Sequence, residues 1–375
     1  MYICVVSRGY PTDVYKMNGI FEYDQAKALA EAGHKVVMAV VDLRSFRRKR
    51  KWGMEHFQRD GVDIYAMNVP VGRVPVSLRN WIGIRAVRRL SALIEKEQGR
   101  PEILHAHFTD IAYIASDWAG RGKIPFVVTE HASAMNQKEV FPSLIATAKK
   151  AYGCADCLIA VGSGLAESIR TKTGFHAKIV GNIVDTRQFA YLPHTKKDDL
   201  FRIVTAGNLI PRKGIDILVD CFALFHQKHS ETSLTIIGQG PMRSALELAV
   251  AQKGITDCVF MKGFCSRDQM ATDYRNSDLF ILPTWCETFG VVYIEAMAAG
   301  LPVIATRCGG PEDFVTEKNG ILIPVGDRDE LIRAMEQMWE DYARYDRASI
   351  AEDAASRFSA EAIARQLTDI YSGLV

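Results

Sequence analysis

The sequence predicts an α/β protein made of two doubly wound parallel sheets in series. Three observations predict it. Short β-branched runs alternate with helical patterns along the whole chain. The runs are continuously apolar, as strands buried on both faces of a parallel sheet must be. The pattern breaks once, at 185–201, where Pro193 and a polar, charged stretch interrupt it. A chain of 375 residues also fits two domains at about 100–200 residues each. A (β/α)₈ barrel would alternate too, but it needs eight similar units and has no reason for a mid-chain break.

In the first half, strands are expected at 2–7, 35–41, 62–67, 102–106, 125–129 and 157–161. Helices are expected near 20–33, 78–97, 110–121, 142–152 and 163–173. In the second half, strands are expected at 202–206, 233–238, 258–262, 279–283, 302–306 and 320–323. Helices are expected near 214–228, 241–253, 267–276, 290–299, 311–316 and 327–342. A last helix at 359–373 carries Ile363, Leu367, Ile370 and Tyr371 on one face. The division is therefore 1–185, a linker at 186–200, and 201–358, with the C-terminal helix 359–375 free to pack back on the first domain.

Composition excludes several classes. Hydrophobic residues at 48% and charged residues at 24% exclude a disordered or fibrous chain. No stretch of about 18 apolar residues marks a membrane span, and the first residues lack the basic-then-apolar pattern of a signal peptide. A cytoplasmic protein is the expectation. The eight cysteines are scattered. Cys154 and Cys157 form a lone CxxC with no second pair, so no metal site is expected and core packing is the default reading. The net charge of +2 hides an asymmetry. Residues 1–185 carry 26 Lys and Arg against 18 Asp and Glu, a net of +8, and the remainder carries −6. One half is expected to meet an anionic partner.

Open α/β sheets bind ligands beyond the carboxyl ends of their strands, so the residues just after each strand carry the functional reading. After 202–206 comes Gly207 to Gly214, with Arg212 and Lys213 where a helix begins. Helix N-termini favour anions, and two cations there suit a diphosphate. Gly238-Gln239-Gly240 and Gly162-Ser163-Gly164 are partial dinucleotide fingerprints, each missing its third glycine, which excludes a dinucleotide oxidoreductase. After 279–283, Glu287 falls in a loop and Glu295 in the following helix. Carboxylates accept bonds from hydroxyl-rich ligands. The amides of Thr288, Phe289 and Gly290, followed by Val291, open that helix.

The stretch from Glu287 through Phe289-Gly290 to Glu295-Ala296-Met297-Ala298-Ala299-Gly300-Leu301-Pro302 closely resembles the retaining nucleotide-sugar glycosyltransferases of family 4. Gly207 to Gly214, Gly309-Gly310-Pro311-Glu312 and Pro324-Val325-Gly326-Asp327 resemble the same family. The resemblance implies the GT-B fold: two Rossmann-like domains facing each other across a cleft. It implies a retaining transfer from a nucleoside diphosphate sugar, UDP-sugar first, without cofactor or metal. Lys213 matches the lysine on the donor diphosphate, Glu295 the carboxylate on the ribose, and Glu287 the carboxylate on the transferred sugar. That sugar also meets the Phe289 and Gly290 amides. Gly263 and Phe264 sit where the family lines the base pocket. Asn208 replaces an arginine common in the family, and Arg212 is the candidate to supply that charge.

The first half resembles the family's acceptor domain. Asn18-Gly19-Ile20-Phe21 looks like its early glycine loop, which approaches the donor phosphates. Thr129-Glu130-His131 resembles the loop whose histidine reaches the donor sugar, making His131 the catalytic histidine alongside Glu287 and Lys213. His107 is a candidate for the acceptor side or for structure. Arg47, Arg48, Lys49, Arg50, Lys51 and Trp52 form the densest basic run. Trp81, Arg85 and Arg88 lie on an amphipathic basic helix. These suit an anionic membrane surface, which family members with lipid-linked acceptors use. No nucleic-acid motif accompanies the charge. The reading is a glycosyltransferase acting on a glycan or lipid-linked glycan in cell-surface polysaccharide or lipopolysaccharide assembly. The alternatives are a sugar-nucleotide epimerase of the same fold and a non-catalytic nucleotide-sugar-binding protein.

Overall fold

Ile3, Cys4, Val5 and Val6 are all fully buried in β1 (Tyr2–Ser7), so both faces of this strand are covered. That is why the run lacks polar alternation, and each such aliphatic burial contributes about 1.5–3 kcal/mol. The computed structural model describes residues 1–44, 47, 49–137, 139–193 and 198–375. They divide into two compact units: Met1–Ile183 with Ala360–Val375, and Val184–Ser359.

In the first unit β1 is followed by α1 (Ile20–Glu31), β2 (Lys35–Asp42), β3 (Gly53–Arg59), β4 (Val62–Asn68) and α2 (Val76–Gln98). Then come β5 (Ile103–His107), α3 (Thr109–Gly122), β6 (Phe126–Glu130), α4 (Pro142–Tyr152), β7 (Cys157–Ala160), α5 (Ser163–Thr173) and β8 (Lys178–Ile179). Among the described residues the sheet order is β3-β4-β2-β1-β5-β6-β7-β8. All its pairings are parallel except β3 with β4. The strand β3 was not expected. It is an edge strand with mostly exposed residues, so it has no apolar run to betray it.

The second unit runs β9 (Phe201–Ala206), α6 (Ile215–Lys228), β10 (Thr232–Ile237), α7 (Arg243–Gln252), β11 (Val259–Gly263), α8 (Arg267–Arg275), β12 (Leu279–Leu282) and α9 (Val291–Ala298). It continues with β13 (Val303–Thr306), β14 (Gly320–Ile323), α10 (Arg328–Glu340) and α11 (Arg347–Phe358). Its parallel sheet has the order β11-β10-β9-β12-β13-β14. The chain order reverses at β9, so a crevice opens between the loops after β9 and β12.

Four expectations need correction. The helix expected at 311–316 is a short 3₁₀ turn, Gly310–Asp313. The helix α11 was missed, because its composition is largely polar and only Ile350, Ala354 and Phe358 are buried. Residues expected to begin a linker belong to the second unit: Phe189 is fully buried against Tyr274, and the Gln188 side chain donates to Asp268. Cys154, expected in the core, is exposed, while Cys157 is half-buried.

The final helix α12 (Ala360–Ser372) returns to the first unit. Ile363, Leu367 and Tyr371 join the core of β1, β2 and α1. His34 and Thr368 share a hydrogen bond of 2.9 Å.

Candidate active site

In the second unit the loops beyond β9, β10 and β12 are locked together by close backbone contacts. Gly214 has φ of 65°, and a Cβ there would lie 2.1 Å from the Pro283 carbonyl oxygen. A side chain is excluded on both counts. A Cβ on Gly238 would lie 1.8 Å from the Gly207 oxygen, so the GxG after β10 serves loop packing. The loop after β12 is tied back by Trp285 N–H and the Thr284 hydroxyl, both donating to the Arg212 carbonyl (2.8 and 3.0 Å). Arg212 Nη1 donates to the Cys286 carbonyl at 3.2 Å, and Gly310 N–H to the Glu287 carbonyl at 3.1 Å.

This lacing brings Lys213 and Glu287 into an ion pair of 2.5 Å, with side chains only 12% and 13% exposed. Two opposite charges at the carboxyl edge of a parallel sheet, little exposed to water, are strong electrostatic groups. Glu295 lies just over one turn into α9 and is buried. It stands beside Tyr274, whose hydroxyl is held far above its ordinary pKa by burial and by this carboxylate. Gly290 caps α9 with φ of 100°. Thr288 and Phe289 are buried and Val291 is half-buried. The Phe289 ring packs on Phe314 and Phe358, so its side chain is core and only its backbone is available to a ligand. Asn208 is exposed. Gly263 ends β11 in a left-handed conformation, and Phe264 beside it is 56% exposed.

In the first unit, Gly19 caps α1 with φ of 67°, and a Cβ there would lie 2.1 Å from the Gly9 oxygen. The loop after β6 is held by Glu130, which is fully buried. Its carboxylate accepts from the amides of Thr109, His131 and Ala132 (3.0, 2.9 and 2.8 Å), from the Tyr152 hydroxyl at 2.8 Å and from the Thr109 hydroxyl. A carboxylate with this many donors fixes the loop. His131 is buried between Phe21 and Phe108. His107 Nδ1 and His131 Nε2 share a hydrogen bond of 2.9 Å. Burial lowers the pKa of His131 and of His105 to about 3, and that of His107 well below its ordinary value. All three rings are neutral near pH 7.

The supporting residues Thr129, Glu130 and Tyr371 were not read as parts of the site. Period-two spacing signals only the shared face of the strand histidines. His105 and His107 lie on one face of β5, and β5 pairs with β6 so that His107 faces Thr129.

The basic run divides by partner. Arg50, expected on a membrane face, is almost fully buried and bound to the buried Asp42. Arg88 is held bidentately by Asp117 at 3.0 and 2.6 Å. Arg50 is committed inside the fold by a buried carboxylate, whereas Arg88 is paired with Asp117 on the exposed surface of α2. Arg47, Lys49, Lys51 and Trp52 are exposed, and Arg48 lies outside the described residues. Trp81 is 54% exposed with the Arg85 guanidinium 4.6 Å from its ring centre. Among the described residues no helix is long and apolar enough to cross a membrane.

With the two-unit α/β fold and the cation–carboxylate pair at its strand-edge crevice described, comparison with known proteins gives the class: sugar-transferring enzymes. Residues 21–188 match the family described as Glycosyltransferase Family 4, and residues 189–357 match Glycosyl transferases group 1. The chain belongs to this glycosyltransferase family, whose members transfer a sugar from a nucleotide-sugar donor. It is 26% identical to the glycosyltransferase TuaC of Bacillus subtilis, assigned to teichuronic acid biosynthesis, over 91% of each chain. Its fold matches sucrose-phosphate synthase of Thermosynechococcus elongatus with a TM-score of 0.78 and 21% identity, over 100% of this chain and 99% of that one. It also matches Anabaena HepE, solved with UDP, with a TM-score of 0.75 and 19% identity over the whole of both chains. The expected GT-B fold is thus the observed one.

Proposed function

We propose that the chain is a retaining glycosyltransferase that moves a sugar from a UDP-sugar to a hydroxyl of a glycan or lipid-linked glycan in cell-surface polysaccharide assembly. The observation that carries this reading is the Lys213–Glu287 pair at the crevice, with Glu295 buried in the helix that follows Glu287. Lys213, with Arg212, neutralises the diphosphate as it departs, a preorganised charge in place of water. Glu287 and the Phe289 and Gly290 amides hold the sugar hydroxyls. Glu295 accepts from the ribose, and exposed Phe264 beside Gly263 offers a face to the base. The acceptor oxygen bonds to the anomeric carbon as the carbon–phosphate-oxygen bond breaks, and the leaving phosphate oxygen takes the acceptor's proton. His131 and Gly19 of the first unit belong to the donor side in this reading.

The UDP-bound HepE supports the choice of base, and TuaC supports the class of acceptor. Exposed Lys49, Lys51, Trp52, Trp81 and Arg85 support a cytoplasmic enzyme peripheral to an anionic membrane, where each cation contributes about 1 kcal/mol. The test is turnover of UDP-, GDP- and ADP-sugars in the presence of EDTA. UDP-sugar turnover that survives chelation is expected. Loss restored by a divalent metal would contradict the metal-free mechanism. Conversion of the free donor to its epimer without acceptor would replace transfer with epimerisation.

A further inference from the structure

Two cysteines meet beside the cation–carboxylate pair of the second unit. The segment after β12 and the segment after β13 run side by side. Glu287 and Gly309 form an isolated parallel bridge, and the Gly310 N–H donates to the Glu287 carbonyl at 3.1 Å. A Cβ on Gly310 would lie 2.4 Å from the Phe289 oxygen, so the two segments touch at the backbone. Cys286 comes directly before Glu287, and Cys308 directly before Gly309. The two cysteines therefore hold equivalent positions in paired parallel segments. Such segments lie about 4.8 Å apart, and a disulfide joins Cα atoms about 4.4–6.8 Å apart. Both residues are reduced and half-buried.

A bond between them would hold the carboxylate next door. Lys213 and Glu287 are bound to each other at 2.5 Å. A donor that places its diphosphate on Lys213 and its sugar hydroxyls on Glu287 must part this pair, so the Glu287 segment has to give way. The Cys286 carbonyl is already held by Arg212 Nη1 at 3.2 Å. A covalent tie from the Cys286 side chain to the neighbouring segment removes the freedom that remains.

We propose that Cys286 and Cys308 form a reversible disulfide that locks the Glu287 segment and lowers turnover, a thiol–disulfide switch beside the crevice. The oxidant is a small disulfide such as oxidised glutathione. The Cys286 thiolate attacks one of its sulfurs, leaving a mixed disulfide on Cys286 and releasing one glutathione thiolate. The Cys308 sulfur then attacks the Cys286 sulfur, and the second glutathione leaves. Two protein thiols are oxidised, one glutathione disulfide is reduced to two thiols, and the two protein thiol protons end on those. Burial pushes the Cys308 thiol up to about 11, so the first attack falls to Cys286. The step of Cys308 is intramolecular, which offsets its weak ionisation. A dithiol reductant reverses both steps. The inference rests on the reading of Glu287 as a donor-side group.

Two measurements on the full chain test it. The reduced protein is incubated with oxidised glutathione, the remaining thiols are alkylated, and its peptides are mapped by mass spectrometry without reduction. Peptides joined through Cys286 and Cys308 are expected. Glutathione retained on Cys286, or linkage of other cysteines instead, would overturn the proposal. For kinetics, turnover of the nucleotide sugar that the reduced enzyme uses is expected to fall about tenfold or more on oxidation and to return with dithiothreitol. Cys286→Ser is expected to keep the parent's turnover under reducing conditions and to lose the response to the oxidant. A linked protein with full turnover, or a Cys286→Ser variant that responds as the parent does, would overturn the switch. The mapping needs no turnover and so separates the two readings. A reduced enzyme that turns over no nucleotide sugar removes the donor-side reading, whereas an active enzyme in which Cys286 and Cys308 never link overturns only the disulfide.

Discussion

The two units present opposite chemistry at the carboxyl edges of their sheets. The second gathers Arg212, Lys213 and Glu287 at one crevice, with Lys213 and Glu287 in direct contact. The first gathers His105, His107 and His131, all neutral and stacked, over a Glu130 carboxylate saturated with donors. The difference teaches a division of labour. In the proposed reaction, charge stands where the diphosphate leaves, and rigid uncharged polar groups stand where hydroxyls are bound. Both arrangements use loops after parallel strands, so the sheet supplies position and the loop residues supply chemistry.

The largest effect that could break this contrast is at Lys213. Lys213→Ala is expected to lower donor turnover about 10²–10³-fold, the cost of removing one preorganised charge from a developing anion. Steady-state kinetics would show it, and near-normal turnover would remove the charge argument from the second unit. Comparable in size is the effect at Arg50. Because its partner Asp42 is buried, Arg50→Ala is expected to cost about 3–5 kcal/mol of stability, measured by chemical unfolding, with no loss of binding to anionic vesicles by the folded protein. A variant as stable as the parent would return Arg50 to the surface.

A smaller effect is expected with pH. The folded-state pKa values of His105 and His131 are lowered to about 3, and His107 lies well below its ordinary value, against about 6.5 in the unfolded chain. Between these limits the unfolded chain binds more protons. Stability from these rings is therefore complete above pH 6.5 and is lost as pH falls toward 3, by about 1.4 kcal/mol per pH unit for each proton. Buried Glu22, with its carboxyl raised to about 7, opposes this with one proton between its unfolded value and about 7. Three histidines outweigh it. Urea midpoints are expected to be lower at pH 5 than at pH 7.5, and an unchanged or higher midpoint at pH 5 would contradict a neutral stack. The smallest effect is at Trp81. Trp81→Ala is expected to weaken vesicle pelleting severalfold at low salt, by roughly 1 kcal/mol, without changing the unfolding midpoint. An unchanged pelleting profile would take Trp81 off the membrane face.

The strands with continuous apolar runs were legible, because burial on both faces writes itself into consecutive residues. The edge strand β3 was not, since its mostly exposed residues look like loop. The placement of Glu287 in the loop after β12 and of Glu295 in the helix after it was legible from the alternation of apolar runs and helical patterns. The commitment of Arg50 to Asp42 was hidden, because a basic run reads the same whether its members face solvent or a buried carboxylate eight residues away. Phe289 shows the same limit: a motif names the residue, and packing decides that only its backbone is free. The histidine stack needs Thr129 and Tyr371, the second 266 residues from His105, and only the fold brings such distant positions together.

The central claim is that the second unit's crevice binds a nucleoside diphosphate through Lys213. Calorimetric titration of UDP, GDP and ADP into the parent and the Lys213→Ala variant tests it most directly. The account predicts that UDP binds the parent, and that Lys213→Ala weakens it about tenfold or more, a loss of about 1.4 kcal/mol at least. No heat from any of the three nucleotides, or equal affinity in the two proteins, would contradict it.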